Sequence, residues 1–176
     1  HRDLHSFPTR RSSDLNDSSA ITWLAPAFAR DRSPRWSPDG KRVAFVRLPG
    51  VGGAPDSLLP RLPNPWEIWT GDATTGAAQR VWKASETLAG SVPTTDGETN
   101  LAWGASDRIV FLSYQDGWPH LYSIPATGGG AALLLTPGNY MAEHISLSRD
   151  GRWLVFAANS GRSEERRVGK ECRSRW

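Results

Sequence analysis

The chain has 176 residues, 38% of them hydrophobic, and a formal net charge of +3, which is material for one ordinary domain. Residues 1–15 and 162–176 carry nine of the 21 Lys+Arg and five of the 18 Asp+Glu, so the stretch between them holds 12 basic and 13 acidic residues. The basic excess therefore belongs to the tails, and the centre of the chain offers no patch for a nucleic acid.

The first tail, HRDLHSFPTRRSSDL, can be back-translated into a DNA whose other strand, read in a shifted frame, encodes RSEERRVGKECRSRW, which is Arg162 to Trp176. Protein selection does not place both strands of one DNA piece at the two ends of a chain. The pattern is that of a sequencing adapter joined to both ends of an insert and translated. Both tails, 1–15 and 162–176, are expected to lie outside the fold. With them go the cluster Arg166, Arg167, Lys170, Arg173 and Arg175, the acidic pair Glu164 and Glu165, and Cys172, the only cysteine. Residues 16–161 thus have no thiolate for a disulfide or a metal. They also have no apolar run of the roughly 18 residues that would suggest a membrane helix.

From residue 16 onward the apolar runs are short, rich in Val, Ile, Leu, Phe and Trp, and bounded by Gly, Pro, Asp and Asn. That is a strand-and-turn pattern. SPDG at 37–40 is a tight turn: Pro38 presets φ, Asp39 bonds its own backbone, and Gly40 tolerates positive φ. It leads into a strand at 42–47, alternating through Val43, Phe45 and Arg47. A Gly- and Pro-rich insertion follows at 48–65, in which residues 50–53 are too short, and wrongly placed, for a phosphate loop. Further strands are predicted at 67–71, 80–83, 108–113, 120–124, 131–135, 144–148 and 153–158. The glycines at 128–130 link a hairpin, and SRDG at 148–151 repeats the first turn without its proline.

These strands belong to a repeat. RWSPDGKRVAFVR (35–47), AWGASDRIVFLS (102–113) and SLSRDGRWLVFAA (146–158) align, making Trp36, Trp103 and Leu147 equivalent, and likewise Phe45, Phe111 and Phe156. EIWTGDATTG (67–76) and HLYSIPATGG (120–129) align too, Ile68 with Leu121 and Trp69 with Tyr122. Trp103 and Leu147 lie 44 residues apart, the length of one four-stranded propeller blade. The predicted fold class is all-β, a partial β-propeller of about two and a half four-stranded antiparallel blades. Blades are expected at about 33–83 and 99–137, with an incomplete one at 143–161. Large aromatics should fill the wedges between blades, and for Trp66, Trp69 and Trp118 that account outweighs an exposed aromatic surface. The terminal blades lack a neighbour on one side. The faces bearing Trp36, Phe45 and Phe156 are therefore expected to be partly uncovered, with an unpaired strand edge after the last hairpin.

In SPRWSPDGKRVAFVR the chain resembles propellers in general, including the TolB-like ones. In YQDGWPHLYSIPATGG followed by LLLTPGNYMAEHISLSRDGRWLVFAANSG it resembles the N-terminal propeller of the dipeptidyl-peptidase-IV branch of the prolyl oligopeptidase family of serine peptidases. The resemblance implies a parent protein in which the propeller gates access to a C-terminal α/β-hydrolase domain that cleaves a peptide substrate. It favours a periplasmic or secreted setting and implies no cofactor. The nucleophile of such a domain sits in a G-x-S-x-G elbow, and residues 16–161 contain none. No catalytic residue is therefore assigned. His120 and His144 fall within predicted strands and read as packed or edge histidines. Glu143 is the nearest acidic residue to the start of a blade. It is the one candidate for a substrate-amine contact, set against a solvated strand-end carboxylate. Asp39, Asp107, Asp116 and Asp150 each occupy their own turn, which accounts for them better than calcium does. The alternative function is a non-enzymatic TolB-like propeller serving as an interaction platform.

Overall fold

The computed structural model describes residues 21–50 and 62–159, and the backbone of residues 174 and 175. Three antiparallel sheets follow one another along the chain. The first blade is β1 (Ala29–Trp36), β2 (Arg42–Pro49), β3 (Glu67–Asp72) and β4 (Ala78–Lys83). The second is β5 (Ala102–Gly104), β6 (Arg108–Ser113), β7 (His120–Pro125) and β8 (Leu133–Leu134). The third sheet holds β9 (Ala142–Leu147), β10 (Trp153–Ala158) and β11 (Ser174–Arg175). In the first two sheets, and between β9 and β10, each strand pairs with its neighbour in sequence. The fold is all-β and propeller-like, with no α-helix among the described residues.

The turns behave as their sequences dictate. Ser37 Oγ donates to Asp39 Oδ1 at 2.6 Å and accepts from the Arg42 amide at 2.9 Å, while Asp39 Oδ1 also accepts from the Lys41 amide at 3.2 Å. Ser148, Asp150, Trp153 and Arg152 repeat this network at 2.5, 2.9 and 3.1 Å. Gly40 and Gly151 supply the positive φ in each, 69° and 68°. In the second blade the same turn has lost a residue. Ser106 and Asp107 take up the left-handed backbone instead, at φ 54° and 55°.

Strand alternation sorts each blade into two faces. Ala44, Val46, Ile68 and Val81 of the first blade bury against Ile109, Phe111, Tyr122 and Ile124 of the second in one core cluster. Val110, Leu112 and Leu121 of the second bury against Leu154 and Phe156 of the third in another. Phe111 and Phe156, equivalent in the repeat, thus both point toward the preceding blade. Trp66, fully buried, stacks at 4.8 Å from Trp82 and 5.8 Å from Phe111, and Phe111 lies 6.0 Å from Tyr122. Polar pins join the blades as well. Arg35 Nε donates to Leu101 O (2.8 Å), Thr70 Oγ1 to Ala126 O (3.0 Å), and the Ala105 amide to Gly151 O (3.0 Å).

Several expectations are corrected, though not the exposure of Trp36, which is 62% where its equivalent Trp103 is buried. The Arg42 guanidinium of the preceding blade covers Trp103 at 5.0 Å, and nothing comparable covers Trp36 among the described residues. Trp66 packs between blades as expected, whereas Trp118 is 40% exposed. Phe45 and Phe156 are each only 4% exposed, so neither face is open at its phenylalanine. The edge of β10 is not bare, since Ser174 and Arg175 pair with Leu154 and Trp153. The strand expected at 131–135 contracts to Leu133–Leu134, because the Gly128 and Gly129 backbones, at φ 75° and 80°, carry the chain wide after β7. Gly50 is described, while residues 51–53 and, apart from 174 and 175, both tails lie outside the described residues.

Candidate functional site

The first strands of the three sheets, β1, β5 and β9, run beside one another, β5 touching both of the others. Charged side chains gather where the loop at 94–100 crosses them. Arg32 of β1 meets Glu98 at 3.4 Å, and His144 Nε2 of β9 lies 3.8 Å from Asp96 Oδ2. Asn100 holds the loop in shape. Its amide nitrogen donates to Asp96 O and Glu98 O, both at 3.3 Å, and its Oδ1 accepts from the Ile145 amide at 3.2 Å. Four residues here use the left-handed backbone: Ser33 (54°), Glu98 (52°), Asn100 (46°) and His144 (51°). In non-glycine residues such backbone persists only where surrounding contacts enforce it.

Glu143 precedes His144 on β9, half-buried and opposite Ala157, at a bulge in the β9–β10 ladder. Its carboxylate makes no hydrogen bond or ion pair among the described residues. The site is therefore a wet, mixed-charge surface. Asp96, Glu98 and His144 are 66%, 55% and 56% exposed, so their pairs are screened and weak. Chemically, a mixed-charge surface is suited to attracting and orienting a charged ligand.

The two histidines have different fates. His120 is buried, its Nδ1 2.6 Å from Asp116 Oδ2, its ring edge-on to Tyr140 at 5.6 Å. Its Nε2 has no hydrogen-bond partner. Burial works against the Asp116 carboxylate, but bonds from His120 and the Trp118 amide hold it below the ordinary aspartate range. Burial first, and then the Asp116 charge, push the Tyr122 hydroxyl up. Asp116 accepts a hydrogen bond from Nδ1, and among the described residues no hydroxyl or thiol bonds to Nε2, so no nucleophile stands beside this pair there. His120 packs, and His144 sits at the exposed inner strand.

Of the four turn aspartates, Asp39, Asp116 and Asp150 serve their own turns. Asp107 differs: it accepts from Arg42 of the first blade at 2.6 Å and from Trp103 Nε1 at 3.1 Å. Among the described residues no three His, Cys, Asp or Glu side chains gather as a metal site. Sequence reading missed Arg32, Asp96 and Glu98, which lie in an irregular strand and a loop with no periodic signal. It named Glu143 as a substrate-contact candidate and His144 only as a packed or edge histidine.

The model of the dipeptidyl peptidase IV (DPP IV) N-terminal region matches residues 60–168, more than half of the chain. The chain belongs to this family. As a member of the dipeptidyl peptidase IV N-terminal region, it is also similar in fold to solved peptidases. One is a Mycobacterium tuberculosis puromycin-hydrolyzing peptidase, with 20% identity and a TM-score of 0.51 over 75% of this chain and 19% of that one. Another is a puromycin hydrolase, with 17% identity and a TM-score of 0.52 over the same shares. The chain thus spans about a fifth of the length of these proteins. No curated protein matches it. No helix among the described residues is long and apolar enough to cross a membrane.

Proposed function

We propose that this chain is part of the substrate-gating propeller of a serine exopeptidase, whose hydrolase domain lies elsewhere in the parent protein. The family match over residues 60–168 carries the reading. Support comes from the chemistry of the surface where β1, β5 and β9 converge. Arg32, Asp96, Glu98 and His144, with Glu143 next to His144 on β9, offer a peptide with a free amine and a carboxylate both signs of charge. Such a surface sorts and orients substrates and leaves cleavage to the hydrolase domain. Residues 16–161 are the propeller segment in this reading, and the tails are adapter.

The test is to recover the parent coding sequence downstream of Gly161 and to purify the whole protein. A G-x-S-x-G elbow, with cleavage of an X-Pro chromogenic substrate that a serine-directed inhibitor abolishes, is expected. A parent with neither would replace this reading with the interaction platform.

A further inference from the structure

Trp118 stands in the turn between β6 and β7 and is 40% exposed, yet the backbone that carries it is held on both sides. Before it, the Gly117 amide donates to Tyr114 O at 2.8 Å, with Gly117 at φ 90°. The Trp118 amide donates to Asp116 Oδ1 at 3.3 Å, and Asp116 Oδ2 lies 2.6 Å from His120 Nδ1. After it, Pro119 and His120 are buried. The turn is thus anchored in the core while the indole stays outside. A Cβ on Gly117 would meet nothing within 4 Å, so the space beside Trp118 is open. The turn belongs to the middle sheet, which packs on the first blade through one core cluster and on the third sheet through another. Trp118 is therefore exposed with both neighbouring blades in place.

The same turn is tied to both sides of the charged surface. Tyr114 Oη accepts from the Thr94 amide at 3.3 Å, in the loop that carries Asp96 and Glu98. Pro119 O accepts from the Ala142 amide at 2.8 Å, one residue before Glu143. Two residue steps and one interchain-type pairing put the Trp118 and Glu143 Cα atoms no more than about 14 Å apart, which an extended peptide covers in about four residues. Gln115, Asp116 and Gly117, beside the indole in its turn, are exposed and carry no apolar side chain. A single ring in polar surroundings suits one side chain of a ligand, whereas a contact between domains calls for a contiguous apolar core. An indole pairs with an aromatic ring offset-stacked or edge-on, and a turn that is already ordered spares the ligand the cost of ordering it. We propose that Trp118 is a specificity-determining residue, a fixed platform for an aromatic side chain among the first four residues of a peptide whose free amine lies at Glu143. The inference rests on the substrate-gating reading and names what that surface selects.

The experiment uses the full chain with its tryptophans labelled in nitrogen-15, the Trp118 indole signal being assigned by its loss in Trp118→Ser. The probes are tetra-alanine and its four versions with a single Phe. At least one Phe peptide should bind at least fivefold more tightly than tetra-alanine and should shift the Trp118 signal. Trp118→Ser should erase that preference, and Trp118→Phe, which keeps a ring, should retain it. Trp118→Leu, apolar but without a ring, should also lose it and serves if the serine variant does not fold. No Phe preference at any position, or a preference that survives Trp118→Ser, overturns the platform. So does a Trp118 signal shielded from solvent in the parent protein, which would make the ring a contact between domains. Binding is read apart from cleavage. A Phe preference erased by Trp118→Ser, with no nucleophile elbow in the parent, would leave the platform standing and overturn only the exopeptidase reading.

Discussion

Arg42 and Asp107 lie 65 residues apart in sequence and 2.6 Å apart in space, clamping the first blade to the turn of the second. The same guanidinium covers Trp103, whose indole donates to the same carboxylate. The pair is about a third exposed on each side, so its Coulomb share is small, and most of its worth is the ring contact. Arg42→Ala should cost about 1–2 kcal/mol, measured by urea denaturation, and Asp107→Asn less than half of that. A double-mutant cycle between Arg42 and Trp103 showing no coupling would remove the clamp from the account.

Core truncation should separate the wedge aromatics from the surface ones. Phe111→Ala should destabilise by about 3–5 kcal/mol, since the ring is fully buried against Trp66, Trp82 and Tyr122. Trp36→Ala should change stability by no more than about 0.5 kcal/mol.

Acid should loosen the turns. The carboxyls of Asp39 and Asp150 are held below the ordinary value of 3.8, first by the serine hydroxyl and then by a backbone amide. Asp72 is held down by the amides of Thr75 and Thr74. A carboxyl lowered in the folded state binds fewer protons there than in the unfolded chain. The stability it contributes is therefore present above 3.8 and is lost as pH falls through the folded-state value. Denaturation midpoints measured from pH 6 down to pH 2 should fall in the parent sequence and fall less steeply in Asp39→Asn and Asp150→Asn. Equal slopes in all three would assign the acid sensitivity to other groups.

Removing residues 1–15 and 162–176 should leave the three sheets intact, with an unchanged far-ultraviolet spectrum. One local effect is expected. The pairing of Ser174–Arg175 with β10 goes, so amide exchange near Trp153 and Leu154 should quicken. Global unfolding on deletion would mean that the tails belong to the fold.

In the parent protein, Glu143→Gln should raise KM roughly tenfold for peptides with a free amino terminus, and should leave N-acylated peptides and kcat unchanged. Equal kinetics for both peptide classes would make Glu143 a solvated strand-end carboxylate.

Strands with at least one packed face were legible in the sequence because burial imposes pattern. Arg108–Ser113 and Trp153–Ala158 stand where their apolar runs place them. The first strand, Ala29–Trp36, was legible only at its end. ARDRSPRW carries no alternation, and its pairing with β2 breaks between Arg32 and Arg35, where Ser33 turns left-handed ahead of Pro34. The charged surface around Asp96 and Glu98 was not legible, because tertiary contacts with Asn100 and Ile145 shape that loop. Arg47 alternated correctly, yet nothing local to it told of the Leu24 and Ala25 carbonyls it would hold.

Pairing between sequence neighbours has a mechanical consequence. Within each of the first two sheets a pull on the chain ends meets only hairpins, with no long crossover to lock them. Each sheet is bound to the next by one apolar wedge and a few polar pins. Load applied across the termini should thus peel the sheets away in succession, the outermost hairpin unzipping first, and a force–extension trace should show a staircase of small ruptures in place of one large break.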